Sequence, residues 1–211
     1  MKTISDFIHL VRERIQQHMF LLSVSHLLEK MGLKIVPFYI TRESLDNSIE
    51  LDLKPKVSPI TYGFLSPAEI KELYSRPEMK FLAKEVPSLQ ENGCLCFALR
   101  HGPEYAAYMW CNLRECSSDF SPFPLSEGEA YLCRAMTMDN YRGKNLAPFL
   151  RYELYRQLDE RGYHTFYSIT EYLNAPARNF KKKLKAQHIK LCFYVGIFKK
   201  RVLYLTLKEY R

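Results

Sequence analysis

Apolar residues recur at helical spacing in two long stretches of this chain and alternate at strand spacing in several shorter ones. Near the start, Ile4, Ile8, Val11, Ile15, Met19 and Leu22 fall on one stripe, and the pattern predicts a helix over 5–31 that stops at Gly32. Leu146, Phe149, Leu150, Leu154 and Leu158 form a second stripe, closed by Arg161 and Gly162. Strand-like runs cover 34–41, 58–64, 94–100, 105–113, 129–138, 165–170, 188–197 and 201–207, with a short one at 49–53. Pro37 predicts an edge or bulged position for the first of these. Ser66-Pro67-Ala68-Glu69 reads as a capped helix start, serine at the cap and proline at the first helical position. A shorter helix interrupted at Pro87 is expected within 77–90, and a helix with a basic face over 174–184.

The central stretch is strand, tight loop and helix. In 129–138 one face carries Tyr131, Cys133, Ala135 and Thr137, the other Ala130, Leu132, Arg134 and Met136. Asp139 to Lys144 is turn chemistry, with Asn140 and Gly143 as breakers. Asn145 is expected to cap the following helix through its side-chain oxygen, and Pro148 falls in the first turn, where a missing N–H costs little. Such a junction suits an anion: amides from Arg142 to Ala147 would point out of the helix start, where the helix dipole favours negative charge. Arg142 and Lys144 add full charge, and Gly143 lets a ligand approach the backbone. A strand–glycine–helix junction is nonetheless more often a mere connection.

Length allows one domain, or one with an extension, in 211 residues. The expected division is an N-terminal helical and strand extension over 1–57, packed on a main domain over 58–211. The apolar run 19–24 is too short to span a bilayer and there is no signal-peptide pattern, so the expectation is a cytoplasmic protein without a membrane partner. The six cysteines (94, 96, 111, 116, 133 and 192) lack zinc-type spacing and read as reduced structural residues, with no metal. Net charge is +8, concentrated at the C-terminal end: residues 178–211 hold eleven Lys or Arg against the single acid Glu209. A basic end of that kind suits nucleic acid, anionic lipid or a phosphorylated cofactor, and equally a solvated face.

The run TMDNYRGKNLA, Thr137 to Ala147, resembles the pyrophosphate-binding signature of the Gcn5-related N-acetyltransferases (GNAT), Gln/Arg-x-x-Gly-x-Gly/Ala after a β-strand. Arg142 matches its first position and Ala147 its last. Asn145 replaces the usual middle glycine, and asparagine tolerates the left-handed region better than most residues. The order of elements from residue 58 onward is similar to the whole acetyltransferase fold. The resemblance therefore implies an α/β (α+β) class: a mixed, twisted sheet with helices on both faces, split between the strands ending near Met138 and Thr170.

It further implies that acetyl-CoA, or another acyl-CoA, is the cofactor. Backbone groups of Ala135, Met136 and Thr137 would hold its thioester and pantetheine, and Arg142, Gly143, Lys144, Asn145, Leu146 and Ala147 its pyrophosphate. Asn174 matches an asparagine that often touches the cofactor. The implied reaction is direct attack of an amine on the thioester in a ternary complex; the acceptor, the acyl length and the oligomeric state stay open. Relatives often carry a glutamate and a tyrosine as acid and base, but Ile169 and Lys181 occupy those positions here. Local candidates are Glu171, Tyr172, Tyr131 and Cys133, each as readily explained by packing or exposure. Arg178, Lys181, Lys182 and Lys183 could reach the 3′-phosphate of CoA by charge. Two rival readings remain: a non-catalytic acyl-CoA-binding protein and, with less support, a basic nucleic-acid-binding module.

Overall fold

The computed structural model describes residues 27–118, 120–198 and 200–210. Most of the helix expected over 5–31 lies outside the described residues; 27–30 are helical. The strands are β1 (Leu33–Glu43), β2 (Thr61–Phe64), β3 (Leu95–His101), β4 (Glu104–Asn112), β5 (Glu115–Cys116), β6 (Phe123–Pro124), β7 (Glu129–Thr137), β8 (Thr165–Glu171), β9 (Gln187–Ile197) and β10 (Lys200–Glu209). The helices are α1 (Pro67–Ser75), α2 (Lys80–Ala83), α3 (Val86–Glu91), α4 (Leu146–Asp159) and α5 (Ala175–Lys183). The chain divides into a larger unit, residues 41–169 and 178–187, and a smaller one, residues 1–40, 170–177 and 188–211.

In the larger unit the strand order is β1-β8-β7-β4-β3-β2, antiparallel from β7 to β2, with β7 and β8 parallel. β4 does not alternate: it is buried continuously from Tyr105 to Asn112, as a strand covered on both faces must be. Its Trp110 donates its indole N–H to the Tyr74 hydroxyl of α1 at 2.9 Å. α1 starts as its sequence demands, with the Ser66 side chain accepting from the Glu69 amide while the Glu69 carboxylate accepts from the Ser66 amide at 2.7 Å. The smaller unit holds the hairpin β9–β10 with β1 beside it, in the order β10-β9-β1.

Three local expectations change. Residues Asn47–Leu53 form a 3-10 helix and not a strand, because the Asp46 carboxylate captures the Ser48 amide at 2.9 Å and starts a turn. The stretch between β4 and β7, where the sequence pattern marks no strand, holds the short hairpin β5–β6. β1 is no edge strand at Pro37: within the smaller unit it lies beside β9, and the Pro37 carbonyl accepts the Tyr172 amide at 2.8 Å on its other side.

The feature that positions the site is the parting of β7 and β8. They pair only at Glu129–Thr165, Ala130–Phe166 and Tyr131–Tyr167, although both strands continue. β7 stays on β4 as far as Thr137, opposite Ala107. It does so through a bulge: Cys133 lies opposite Trp110 and Met136 opposite Tyr108, which leaves Arg134 and Ala135 against Met109 alone, with Arg134 at φ +49°. An extra residue on one strand bends it and raises its twist. The alternation expected through 129–138 is therefore broken at Arg134, and from Leu132 and Ser168 onward the two parallel strands no longer bond each other.

Candidate functional site

The loop after β7 is built from short-range geometry. Asp139–Tyr141 is one 3-10 turn, and the Arg142 amide closes on the Asp139 carbonyl at 3.2 Å. That amide is thus spent inside the loop, and the run of backbone donors begins one residue later than expected, at Gly143. Gly143 (φ +75°) and Asn145 (φ +62°) are both left-handed. Left-handed residues in such a loop turn successive N–H groups into one concavity, the form that cradles anions. A Cβ on Gly143 would meet nothing within 4 Å, so the concavity is open there. α4 then starts at Leu146, and its first-turn amides have no acceptor within the helix.

Asn145 is not the side-chain cap that its type suggests. Its backbone takes the glycine-like conformation, and its side chain ties two neighbours: Nδ2 donates to the Lys54 carbonyl at 3.1 Å and Oδ1 accepts from Lys183 Nζ at 2.8 Å. The Lys56 amide donates to the Lys144 carbonyl at 3.0 Å. Behind the loop the buried Tyr141 gives its hydroxyl proton to Glu104 at 2.7 Å, with the Lys144 ammonium 4.9 Å from its ring centre. Arg142 is exposed and paired with Asp139 at 2.7 Å. The loop is therefore pinned at both flanks and its rim is basic.

On β7, Ala135 is exposed and Met136 and Thr137 half-buried, on the edge that β8 has left. The structure brings Ala135, Met136, Thr137 and the residues 142–147 into one continuous run of the larger unit. Asn174 belongs to the smaller unit, where its side-chain oxygen caps α5 by accepting from the Ala177 amide at 3.1 Å. Glu171 and Tyr172 are exposed there too, Tyr172 resting against Tyr39. Tyr131 is buried, and burial drives its phenol pKa upward. Cys133 is half-buried and desolvation pushes its thiol up to about 12, so it is no thiolate near neutrality. All six cysteines are free, and no metal-binding cluster occurs among the described residues.

The sequence reading missed a buried ionic group in the larger unit. Glu43 at the end of β1 takes a bidentate pair from Arg151 of α4, Nη2 to Oε1 at 2.7 Å and Nε to Oε2 at 3.0 Å. Tyr155 and Ser168 also donate to the same carboxylate. Lys181 of α5 reaches in, with Nζ 2.6 Å from Ser168 Oγ, 3.2 Å from Thr41 Oγ1 and 3.9 Å from Glu43 Oε1. Burial by itself would raise the Glu43 carboxyl, but the charges of Arg151 and Lys181 and its hydrogen bonds bring it down to about 2. Burial lowers the Lys181 ammonium to about 7, against the pull of Glu43 and with the help of Arg151. Lys181 therefore does not share a solvent face with Lys182 and Lys183, which are exposed. The available signal was Arg151 beside Leu150 and Leu154 in the apolar stripe of α4; its partner lies 108 positions away and leaves no mark in spacing.

The acetyltransferase (GNAT) family model matches residues 64–185, which run from β2 to the end of α5. The chain belongs to that family. No curated protein sequence matches this GNAT chain. Its fold is similar to that of a GCN5-related N-acetyltransferase-like protein from Streptococcus suis, at 14% identity and TM-score 0.57, over 82% of this chain and 67% of that one. A tandem GNAT protein from the clavulanic acid biosynthesis pathway matches at 13% identity and TM-score 0.54, over 81% of this chain and 57% of its own. A glucosamine N-acetyltransferase region of a fungal multi-domain GH3 beta-N-acetylglucosaminidase matches at 14% identity and TM-score 0.53, over 82% of this chain and 22% of that protein. The GNAT chain thus spans little more than half of the tandem protein and under a quarter of the fungal one. Among the described residues, no helix is long and apolar enough to cross a membrane.

Proposed function

We propose that this chain is an N-acyltransferase that moves an acyl group, acetyl in the first instance, from acyl-CoA to an amine by direct attack in a ternary complex. The observation that carries the reading is the loop with left-handed Gly143 and Asn145, opening α4 directly after the strand that parts from its parallel neighbour. The residues suit such a cofactor. The open concavity at 143–147 and the basic rim of Lys144, Lys183 and Arg142 match a pyrophosphate, and the unpaired edge of β7 at 135–137 matches an amide-bearing chain such as pantetheine. When bound, the cofactor supplies an activated thioester. The chain's own part is to hold the phosphates on backbone amides and to orient the thioester along β7, so that the amine meets it in one geometry. Free cysteines throughout support a reducing, cytoplasmic setting.

A second reading, acyl-CoA binding without transfer, is favoured by one observation: of the two positions where relatives often carry an acid and a base, one holds the apolar Ile169 and the other Lys181, whose ammonium is turned into the buried Glu43 cluster. The nucleic-acid reading has lost support, because Lys181 is buried and Lys183 is engaged with the loop. Calorimetric titration with acetyl-CoA tests the main reading. Gly143→Val, a β-branched residue at φ +75°, and Ala147→Glu, a carboxylate against the phosphates, should each weaken binding by about 1 to 3 kcal/mol, roughly ten- to a hundredfold. Thermal melts confirm that both variants fold. No binding by the wild type, or unchanged affinity in both folded variants, refutes the assignment. Release of CoA thiol with a panel of amines separates transfer from binding alone.

A further inference from the structure

At the position of Asn145 the pyrophosphate signature usually has glycine, which enters the left-handed region at no steric cost. Asn145 takes that region at φ +62° and ψ +21°, a conformation that persists in a non-glycine residue when its surroundings hold it. Both ends of its carboxamide are held: Nδ2 donates to the Lys54 carbonyl and Oδ1 accepts from Lys183 Nζ. In the preceding peptide unit the Lys144 carbonyl accepts the Lys56 amide. Two neighbouring loop residues are thus bonded to 54 and 56 side by side. That leading segment is itself anchored in the larger unit. It follows the 3-10 helix Asn47–Leu53, whose Leu53 is completely buried. The Tyr152 hydroxyl of α4 donates to Asn47 Oδ1 at 3.1 Å, and Lys185 Nζ donates to Asp46 at 2.8 Å and to Ser48 at 3.0 Å. Residues 54–56 are therefore fixed against the helix whose start they brace, and they lie outside the stretch 64–185 that the family model covers.

We propose that Asn145 is a positioning residue for the cofactor: its carboxamide, clamped between the Lys54 carbonyl and the Lys183 ammonium, sets the backbone amides of 143–147 in their anion-binding arrangement before a ligand arrives. The inference rests on the acyl-CoA reading above. The geometry of one peptide plane shows how the clamp works. In a trans peptide the carbonyl and the amide point in opposite directions. The Lys144 carbonyl is tied to Lys56, so the Asn145 amide of the same plane is aimed away from the leading segment. The next plane, which carries the Leu146 amide, is then fixed by the Asn145 ψ angle, and the clamped side chain holds that angle. Gly143, at φ +75° and with open space where a Cβ would be, has no side chain to do the same for its own plane. A loop with glycine at both left-handed positions has to be ordered by its ligand. With Asn145 clamped, part of that ordering is completed on folding, and preorganisation of this kind raises affinity without adding a contact to the ligand.

The test uses the full chain and the substitution Asn145→Gly, which restores the glycine of the signature, relieves the left-handed backbone and removes the clamp. Two quantities are read: the affinity for acetyl-CoA by calorimetry, and the hydrogen exchange of amides 143–147 in the protein without ligand. Loss of the clamp should weaken acetyl-CoA about three- to tenfold, although the sequence then fits the signature better. Dephospho-CoA should weaken by the same factor, because it carries the same pyrophosphate. Exchange at 143–147 should quicken about tenfold. Lys183→Met removes one arm of the clamp and is the second variant should Asn145→Gly fail to fold. Its loss should persist at high salt, where a lost charge attraction would be screened. The double variant should lose less than the two single losses together, since both act through one 2.8 Å bond. Equal or tighter binding by Asn145→Gly overturns the inference, as does full additivity. Weaker binding with unchanged exchange overturns it as well, because the side chain then acts on the ligand directly. Quicker exchange with unchanged affinity shows a merely structural clamp and overturns it too. A wild-type protein that does not bind acetyl-CoA overturns the acyl-CoA reading itself, and the positioning role with it.

Discussion

Replacing Glu43 by glutamine should be among the most damaging single changes in the larger unit, although it alters one atom type and almost no volume. The carboxylate is completely buried and accepts from Arg151, Tyr155, Ser168 and Thr41, with Lys181 3.9 Å away. The amide would keep one acceptor and turn two N–H donors toward groups that are themselves donors. It would also leave Arg151, 2% exposed, beside a cationic or newly neutral Lys181 with no anion between them. Removing one partner of a buried pair costs about 3 to 5 kcal/mol. At about 2 to 4 °C per kcal/mol for a chain of this size, melting should fall by roughly 6 to 20 °C. Lys181→Met works in the opposite sense: it withdraws the weaker cation and leaves the bidentate Glu43–Arg151 pair intact, so its cost should stay below about 2 kcal/mol. Both variants and the wild type would be compared by calorimetric melting at pH 6.5. A Glu43→Gln protein that melts within 2 °C of wild type, or a Lys181→Met protein less stable than Glu43→Gln, would falsify the electrostatic account of the cluster.

The same cluster fixes the sign of a pH effect. The Lys181 ammonium falls from 10.5 to about 7 on folding, so the unfolded chain binds the extra proton between those values and stability should rise with pH from about 7 toward 10. The slope is at most about 1.4 kcal/mol per pH unit, and it should be absent in Lys181→Met; parallel stability curves for the two proteins in chemical denaturation would contradict it. Glu43 acts at the acid end, since its depressed pKa gives stability that is present above about 4.5 and lost toward about 2. Tyr74→Phe should cost about 1 to 3 kcal/mol by leaving the buried Trp110 indole N–H without its 2.9 Å acceptor, a loss read from urea unfolding; a change under about 0.5 kcal/mol would show that another acceptor takes its place.

What could be read from the sequence was whatever is local. The capping box at Ser66 and Glu69 involves residues three apart, and α1 starts where it predicts. The loop 139–147 was legible because its hand and its helix start are set by neighbours, with Gly143 and Asn145 taking left-handed backbone. Even there, the use of the Arg142 amide within its own 3-10 turn and the side-chain bonds of Asn145 to Lys54 and Lys183 depend on geometry that spacing does not encode. The bulge at Arg134 escaped because a one-residue insertion in a ladder shows only against its partner strand. Lys181 escaped for a related reason. Three consecutive lysines look alike on a helix, and only the placement of Glu43 distinguishes the one that turns inward.

The position of Glu43 also bears on how this chain can be divided. The family match starts at residue 64, and it would be natural to treat everything before it as an accessory that can be trimmed. Yet Thr41 and Glu43 lie in that leading part and supply the acceptors that Arg151, Lys181 and Ser168 use inside the matched region. A fragment begun at Ser58 would inherit two cations in its interior and leave their counter-ion behind. Swapping the N-terminal part between relatives faces the same constraint: a carboxylate delivered by one piece and a guanidinium by the other have to travel together, or the recipient acquires an unmatched charge at its centre.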